Sequence, residues 1–376
     1  MRIGFISTVS GYHWAGSEEL WYAAALLALS KNDSVNISVS SDMKTSLKLK
    51  KISELGAHIY WKNSVIHPRL ARITEYFSSS FKPLYARSDV VLLSLGSLLD
   101  PIYIPDLLDS LDTSDVPVIV LCQFNAESLQ FSPASRAKIQ QLFDASAGQI
   151  FVSKYNLQLA QRQLAMNFEN AHVICNPIRY KQLEPLPWVQ KEPVQLACVA
   201  RFETLWKGQD VLLEVLAQPQ WKARDWHLNL YGSGPDEKYV QQLIRYYDLA
   251  DRVTCRGYVQ DIQSVWANNH VMLLPSRGEG APLAILEAMM CARPTVTTDV
   301  GGNREILVEG QTGWIADAAI PSSFGHSLEQ AWQHQNHWPE IGKAAHQAAL
   351  HLAAADPAKQ VLECLQHYQS NAVKPV

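Results

Sequence analysis

The sequence predicts an α/β protein of two doubly wound domains with parallel sheets, and three observations carry that prediction. Its 376 residues exceed what one hydrophobic core usually serves, so two domains are expected. Short β-rich runs alternate with longer helix-like segments along the whole chain. Several runs are continuously apolar, as in Val90-Val91-Leu92-Leu93 and Pro117-Val118-Ile119-Val120-Leu121, which is what strands covered on both faces by helices look like.

Taken in order, strands are expected at 2–7, 35–40, 57–61, 89–95, 117–122, 148–152 and 171–175, giving a first domain of residues 1–176. Residues 177–193 carry prolines at 177, 185, 187 and 193 with little periodicity and read as a linker. A second set at 194–200, 226–231, 252–256, 270–274 and 294–298 gives a second domain of residues 194–355. A last helix is expected from Asp356-Pro357 to about Ser370, within a C-terminal segment of residues 356–376.

The formal net charge of −4 removes any overall basic field of the kind that binds nucleic acid. Six scattered cysteines with no C-x-x-C pair read as buried free thiols in a reducing compartment. The chain opens on a strand-like Arg2-Ile3-Gly4-Phe5-Ile6-Ser7 rather than a leader, and its longest apolar run, Leu20 to Leu29, is too short to span a bilayer. A cytoplasmic protein is therefore expected. Residues 42–88 depart from the average, with nine cations against three acids and interleaved aromatics. Such a surface can rest peripherally on anionic lipid at the inner membrane face or receive a charged acceptor; an ordinary solvated helix face is the other reading.

The most informative stretch is Ser276-Arg277-Gly278-Glu279-Gly280-Ala281-Pro282-Leu283-Ala284-Ile285-Leu286-Glu287-Ala288-Met289-Met290. It sets two carboxylates, Glu279 and Glu287, eight positions apart, one on a Gly-flanked loop and one in an apolar helical segment. A loop carboxylate can meet a sugar hydroxyl, a helical one can accept both hydrogen bonds of a ribose diol, and helix-start amides suit an anion. Arg201, at the carboxyl end of strand 194–200, and Lys207, before Gly208, can neutralise a departing diphosphate. The bland alternatives are an Arg201 pair with Glu203 or Asp210 and an ordinary loop lysine. No Asp-x-Asp occurs, and His334-x-x-His337 lies in a polar stretch without a carboxylate partner, so no metal is expected.

This segment resembles the E-x7-E signature of retaining glycosyltransferases of family 4. The resemblance continues through Arg293-Pro294-Thr295-Val296, Asp299-Val300-Gly301-Gly302-Asn303-Arg304-Glu305 and Gly310-Gln311-Thr312-Gly313-Trp314. Upstream it takes in Val199-Ala200-Arg201, Lys207-Gly208-Gln209-Asp210, Tyr231-Gly232-Ser233-Gly234-Pro235 and Gly257-Tyr258-Val259. It is dense over residues 194–317 and sparse before them. It implies the GT-B fold, two facing Rossmann-like domains with the terminal helix crossing back to the first. It also implies Glu287 on the ribose, Glu279 beside the reacting sugar with Arg201 and Lys207, and Gly280, Ala281 and Leu283 near the donor. Gly232, Tyr258 and Val259 would line the nucleotide pocket. Asp299, Gly301, Gly302 and Glu305 read as structural.

In the first domain the loop Gly11-Tyr12-His13-Trp14-Ala15-Gly16-Ser17 precedes an apolar helix, an anion cradle in which Ser17 reads as the N-cap. The family shows Gly-Gly where this chain has Ala15-Gly16; His13 and Trp14 read either as a ligand wall or as a packed pair. Many relatives place a histidine after the strand at 117–122. Here the chain reads Cys122-Gln123-Phe124-Asn125-Ala126-Glu127, leaving Gln123, Asn125 or Glu127 to hold sugar or acceptor. The expected function is a retaining, metal-independent glycosyltransferase that moves a hexosyl unit from a nucleotide-diphosphate sugar to a hydroxyl acceptor, with no cofactor. The alternatives are a catalytically silent nucleotide-sugar-binding partner protein and a GT-B sugar-nucleotide epimerase.

Overall fold

A computed structural model of the chain describes residues 1–62, 81–104, 106–112, 115–178 and 184–372. The chain divides into two compact units, Met1–Pro177 with Asp356–Val376, and Ile178–Ala355.

The first unit is a parallel sheet of β1 (Arg2–Ser7), β2 (Ser34–Ser40), β3 (His58–Lys62), β4 (Val90–Leu95), β5 (Val118–Cys122), β6 (Gly148–Phe151) and β7 (Ala171–Val173). Their order is β3-β2-β1-β4-β5-β6-β7. Every residue of β4 and β5 is buried, which is why these strands read as unbroken apolar runs. On one face Val91, Leu93 and Val120 pack with Ile139, Leu142 and Phe143 of helix Pro133–Ala145. Helix Pro357–Ala372 packs against helix Glu19–Ser30 and β4, so the end of the chain completes this unit. The Tyr368 ring lies 2.4 Å from where a side chain at Gly148 would begin, and its hydroxyl donates to the Asn170 carbonyl at 3.2 Å. Val361, Leu362 and Leu365 are buried beneath it, each contributing about 1.5–3 kcal/mol of hydrophobic stabilisation.

The second unit is a parallel sheet of β8 (Val194–Val199), β9 (Trp226–Tyr231), β10 (Val253–Gly257), β11 (Val271–Leu274), β12 (Thr295–Thr298) and β13 (Gly313–Ala316), ordered β10-β9-β8-β11-β12-β13. Leu196, Cys198, Leu228 and Leu230 face helix Gln209–Leu216 and the indoles of Trp221 and Trp226. On the opposite face Ala197, Met272 and Leu274 meet helix Leu283–Met290 and Ala345 and Ala349 of helix Trp338–Ala353. In both sheets the strand order reverses, between β1 and β4 and between β8 and β11, and the crevice outside those strand ends is where doubly wound sheets bind ligands.

Of the expected linker, residues 179–183 lie outside the described residues, and 186–189 pack onto the second unit. The fully buried Arg293 holds them, donating from Nη1 to the Leu186 carbonyl at 3.4 Å and from Nη2 to the Pro187 carbonyl at 2.7 Å. Its Nε donates to the carbonyls of Trp266 and Asn269. Burial pulls this guanidinium down to about 10, and the ring of carbonyls compensates the desolvation. Arg293 is thus an architectural residue.

Candidate functional site

In the second unit, the loops after β8 and β11 flank the switch point and are locked together. Gly208 has φ +65°, and a Cβ there would lie 2.0 Å from the Pro275 carbonyl oxygen. Arg277 grips Asp210 with both guanidinium arms at 2.8 Å and donates to the Thr204 carbonyl at 2.7 Å. Across this junction Lys207 Nζ meets Glu279 Oε1 at 2.6 Å, and the buried Ser276 hydroxyl donates to the same oxygen at 2.7 Å. The two side chains retain only 18% and 6% exposure, so this ion pair is shielded from water. Arg201 lies nearer the surface and pairs with Glu203 at 3.0 Å, one of the two structural partnerships its position suggested.

Helix Leu283–Met290 starts after Pro282, with no side chain capping its first turn. Ala281, Leu283 and Glu287 are all buried there. Gly280 accepts from the Gly302 amide at 2.7 Å, and a Cβ at Gly301 (φ +54°) would meet the Glu279 carbonyl at 2.3 Å. The close fit of this turn beneath Glu279 explains the Gly301-Gly302 pair. Gly232 has φ +140°, and a Cβ there would lie 2.0 Å from the Ala200 carbonyl oxygen, so the loop after β9 packs closely on the end of β8 only with glycine. Tyr258 is 72% exposed after β10, while Val259 packs into the core beside helix Leu283–Met290. Arg201, Lys207, Glu279 and Gly232 therefore lie on loops that follow the carboxyl ends of strands of one sheet, and Glu287 lies about one turn into the helix after β11. The Arg277–Asp210 clasp was missed from the sequence; only its long-range pairing reveals it.

In the first unit, a single 3-10 turn, Gly16–Glu18, intervenes before helix Glu19–Ser30, and Ala15 precedes it at φ −123°. Alanine in place of glycine is unstrained there. Ser17 does not cap the helix; its hydroxyl donates to Glu18 at 3.4 Å. Trp14 stacks edge-on to Tyr22 and donates to Glu19, whereas His13 turns away to Thr45, at 3.0 Å, and the Asp42 carbonyl. After β5, Asn125 is consumed locally, bonded to Gln163 and to the Ala126 amide, each at 2.8 Å. Glu127 is bound to Tyr155 and Arg162 at the surface. Gln123 differs: it is 3% exposed and neither amide atom has a hydrogen-bond partner among the described residues. Asn156, in the first turn of helix Lys154–Leu164, is buried in the same condition. Unpaired buried amides cost about 1–3 kcal/mol each, which sets Gln123 and Asn156 apart from the satisfied polar groups around them.

The basic region 42–88 is described only in part, since residues 63–80 lie outside the described residues. Lys48 is tied to the buried Glu19, and burial lowers Lys62 to about 7 beside Phe81. Lys44, Lys50 and Lys51 remain exposed, next to a Leu47 that is 75% exposed. Among the described residues no helix is long and apolar enough to cross a membrane, and no His, Cys, Asp or Glu cluster is placed to hold a metal ion.

Glu18, unremarked in the sequence, is fully buried with its carboxylate facing the Trp21 indole N–H at 3.0 Å. Burial raises it from 4.5 to about 7. The unfolded chain ionises this group above about 4.5 while the folded chain holds its proton, so its contribution to stability declines from there to about pH 7 and is flat beyond. Glu18→Gln is expected to be about 2–3 kcal/mol more stable than wild type at pH 8 and much closer to it at pH 5. Urea unfolding at both pH values reads this; an equal gap at the two would show that Glu18 is not titrating.

With this geometry in view, residues 193–334 match the family described as Glycosyl transferases group 1. One subunit of the Homo sapiens phosphatidylinositol N-acetylglucosaminyltransferase is 30% identical over 161 residues, covering 42% of this chain and 32% of that protein. D-inositol 3-phosphate glycosyltransferase of Paenarthrobacter aurescens is 29% identical over 200 residues, 52% of this chain and 48% of that one. The chain spans about a third of the length of the first relatives it matches. Among solved structures, Anabaena HepE in complex with UDP superposes with a TM-score of 0.70 at 17% identity, covering 98% of this chain and 100% of that one. Sucrose-phosphate synthase from Thermosynechococcus elongatus gives a TM-score of 0.76 at 16% identity, over 99% and 100% of the two chains. The chain is a GT-B protein of two Rossmann-like units. The match to the glycosyl transferases group 1 model falls within its second unit.

Proposed function

We propose that the protein is a retaining glycosyltransferase of family 4 that transfers a hexosyl unit from a nucleotide-diphosphate sugar to a hydroxyl acceptor without a metal. The observation that carries this reading is the shielded Lys207–Glu279 pair at the β8/β11 switch point, one turn before the helix bearing the buried Glu287. Lys207, with Arg201, offsets charge as the bond from the anomeric carbon to the diphosphate oxygen breaks. The acceptor oxygen bonds to the same face, and its proton goes to the departing phosphate. Glu279 holds the sugar hydroxyls, Glu287 the ribose diol, and Tyr258 and Val259 border the base. Gln123 is assigned to a sugar or acceptor hydroxyl in the first unit, because its amide is buried without a partner.

Relatives named for N-acetylglucosaminyl transfer and a neighbour solved with UDP put UDP-sugars first among candidate donors. With Lys48 and Lys62 internally engaged, membrane contact through residues 42–88 is secondary, and co-sedimentation with anionic vesicles reads it.

The test is a thermal-shift panel of UDP-glucose, UDP-N-acetylglucosamine, UDP-galactose, GDP-mannose and ADP-glucose with EDTA, on wild type and Arg201→Ala/Lys207→Ala. One donor should stabilise wild type by several degrees and the double variant not at all. Stabilisation without nucleoside diphosphate release in any acceptor screen would instead make this a silent binding protein. Donor conversion without release would make it an epimerase.

A further inference from the structure

A second polar recess lies in the second unit, and none of Arg201, Lys207, Glu279 and Glu287 lines it. Its volume is about 280 Å³, and it is lined by Lys191, Gln195, Asn229, Tyr231, Arg256 and Asn268. Gln195 stands near the start of β8 and Asn268 shortly before β11, whereas Tyr231 ends β9 and Arg256 lies one residue from the end of β10, so the lining runs along the strands. It occupies the sheet face opposite helix Gln209–Leu216, where β9 presents His227, Asn229 and Tyr231 instead of apolar side chains.

The floor of this recess is a closed amide network. Asn229, 2% exposed, donates to Gln195 Oε1 at 3.2 Å and to Asn269 Oδ1 at 2.8 Å. Asn269 donates in turn to the Tyr231 hydroxyl at 3.0 Å, which leaves the phenolic proton to be donated elsewhere. Above this floor Asn229 Oδ1 accepts from Arg256 Nε at 2.9 Å. One edge of the guanidinium is therefore anchored, while its two terminal nitrogens have no partner among the described residues. Exposed Lys191 likewise forms no ion pair with any described acid. His227, bonded to Thr254 at 2.9 Å, is held below its usual range by burial and then by Arg256 and Lys191.

Lys191, Arg256 and Tyr231 line this one recess, and neither cation is paired with an acid among the described residues. A guanidinium anchored through Nε presents its outer fork bidentately to an oxoanion at little entropic cost, and an ammonium adds a point charge. We propose that this recess is a second anion site, which takes the phosphate group of a small soluble ligand through Arg256 and Lys191, with Tyr231 donating to the same group. Exposed Arg256 and Lys191 stand over a buried amide floor, and a recess of about 280 Å³ fits a small phosphorylated molecule rather than a membrane surface.

His227 is the local reporter, and it separates this recess from any phosphate bound at Lys207. An anion between Arg256 and Lys191 relieves their repulsion of the imidazolium, so 20 mM inorganic phosphate should raise its NMR titration midpoint by about half a unit. Arg256→Gln should abolish the rise. Lys191→Gln, which touches no part of the amide network, should reduce it at least by half and keeps the test valid if Arg256→Gln folds poorly. Loss of the response in these variants supports the site. A missing response in wild type, an unchanged response in Lys191→Gln, or an equal rise with chloride at matched ionic strength overturns it.

Discussion

Lys207→Ala is expected to destabilise the second unit by about 3–5 kcal/mol and to abolish donor binding, whereas Glu279→Gln should keep the fold and lose transfer by at least about 100-fold. The asymmetry follows from burial. The Glu279 side chain is 6% exposed, and its Oε1 accepts from both Lys207 and Ser276. Removing the lysine strands a carboxylate where water cannot reach it, and that cost exceeds the net worth of the pair. A glutamine keeps an acceptor oxygen and removes the charge, so folding is spared while the grip on sugar hydroxyls weakens. Urea unfolding and nucleoside diphosphate release read the two effects separately. Should Lys207→Ala lie within about 1 kcal/mol of wild type, the pair is not shielded in solution. Should Glu279→Gln retain more than a tenth of wild-type turnover, Glu279 does not serve the reacting sugar.

Gly208→Ala carries the second large effect, because two costs fall on one atom. Its φ of +65° is itself unfavourable for alanine by about 1–2 kcal/mol. The added Cβ would also stand 2.0 Å from the backbone oxygen of Pro275, which has no flexible end to yield. The loop carrying Lys207 must then lift from the loop carrying Glu279, breaking the pair. A loss of more than about 3 kcal/mol, with donor stabilisation gone, is the expected outcome. Gly310→Ala is the matched control: φ is +68° but no atom lies within 4 Å, so only the backbone cost of about 1–2 kcal/mol should appear. Equal losses at the two positions would mean that loop contact at Gly208 contributes nothing.

Much of this molecule was legible in the chain. Strands at 89–95 and 117–122 announced themselves because a parallel strand covered on both faces is a near-continuous apolar run, and those at 2–7, 194–200 and 226–231 through short β-rich stretches between helical segments. β13, Gly313–Ala316, was not expected as a strand. Four residues are too few to show a period, and its placement rests on Gly313 lying 2.4 Å, through a would-be Cβ, from the Thr295 carbonyl. Ser17 was misread as a cap because a 3-10 turn and an α-helix share the same entry signal, a polar residue before an apolar run.

What the sequence alone determined, then, is what depends on residue type and short spacing: the α/β class and the chain order of every strand but β13; the same reading singled out Glu279, Glu287, Arg201 and Lys207, to which the proposed chemistry is assigned. The tertiary structure alone decided which of these groups meet. Lys207 reaches Glu279 across 72 positions while Arg201 turns to Glu203, and Arg277, not singled out from the chain, clasps Asp210 across 67. It also separated Gln123, buried and unpaired, from Asn125 and Glu127, whose bonds are already made. The physical reason is that a side chain's partners are chosen by distance and burial after the loops pack, and neither quantity is carried by residue type or by spacing along the chain.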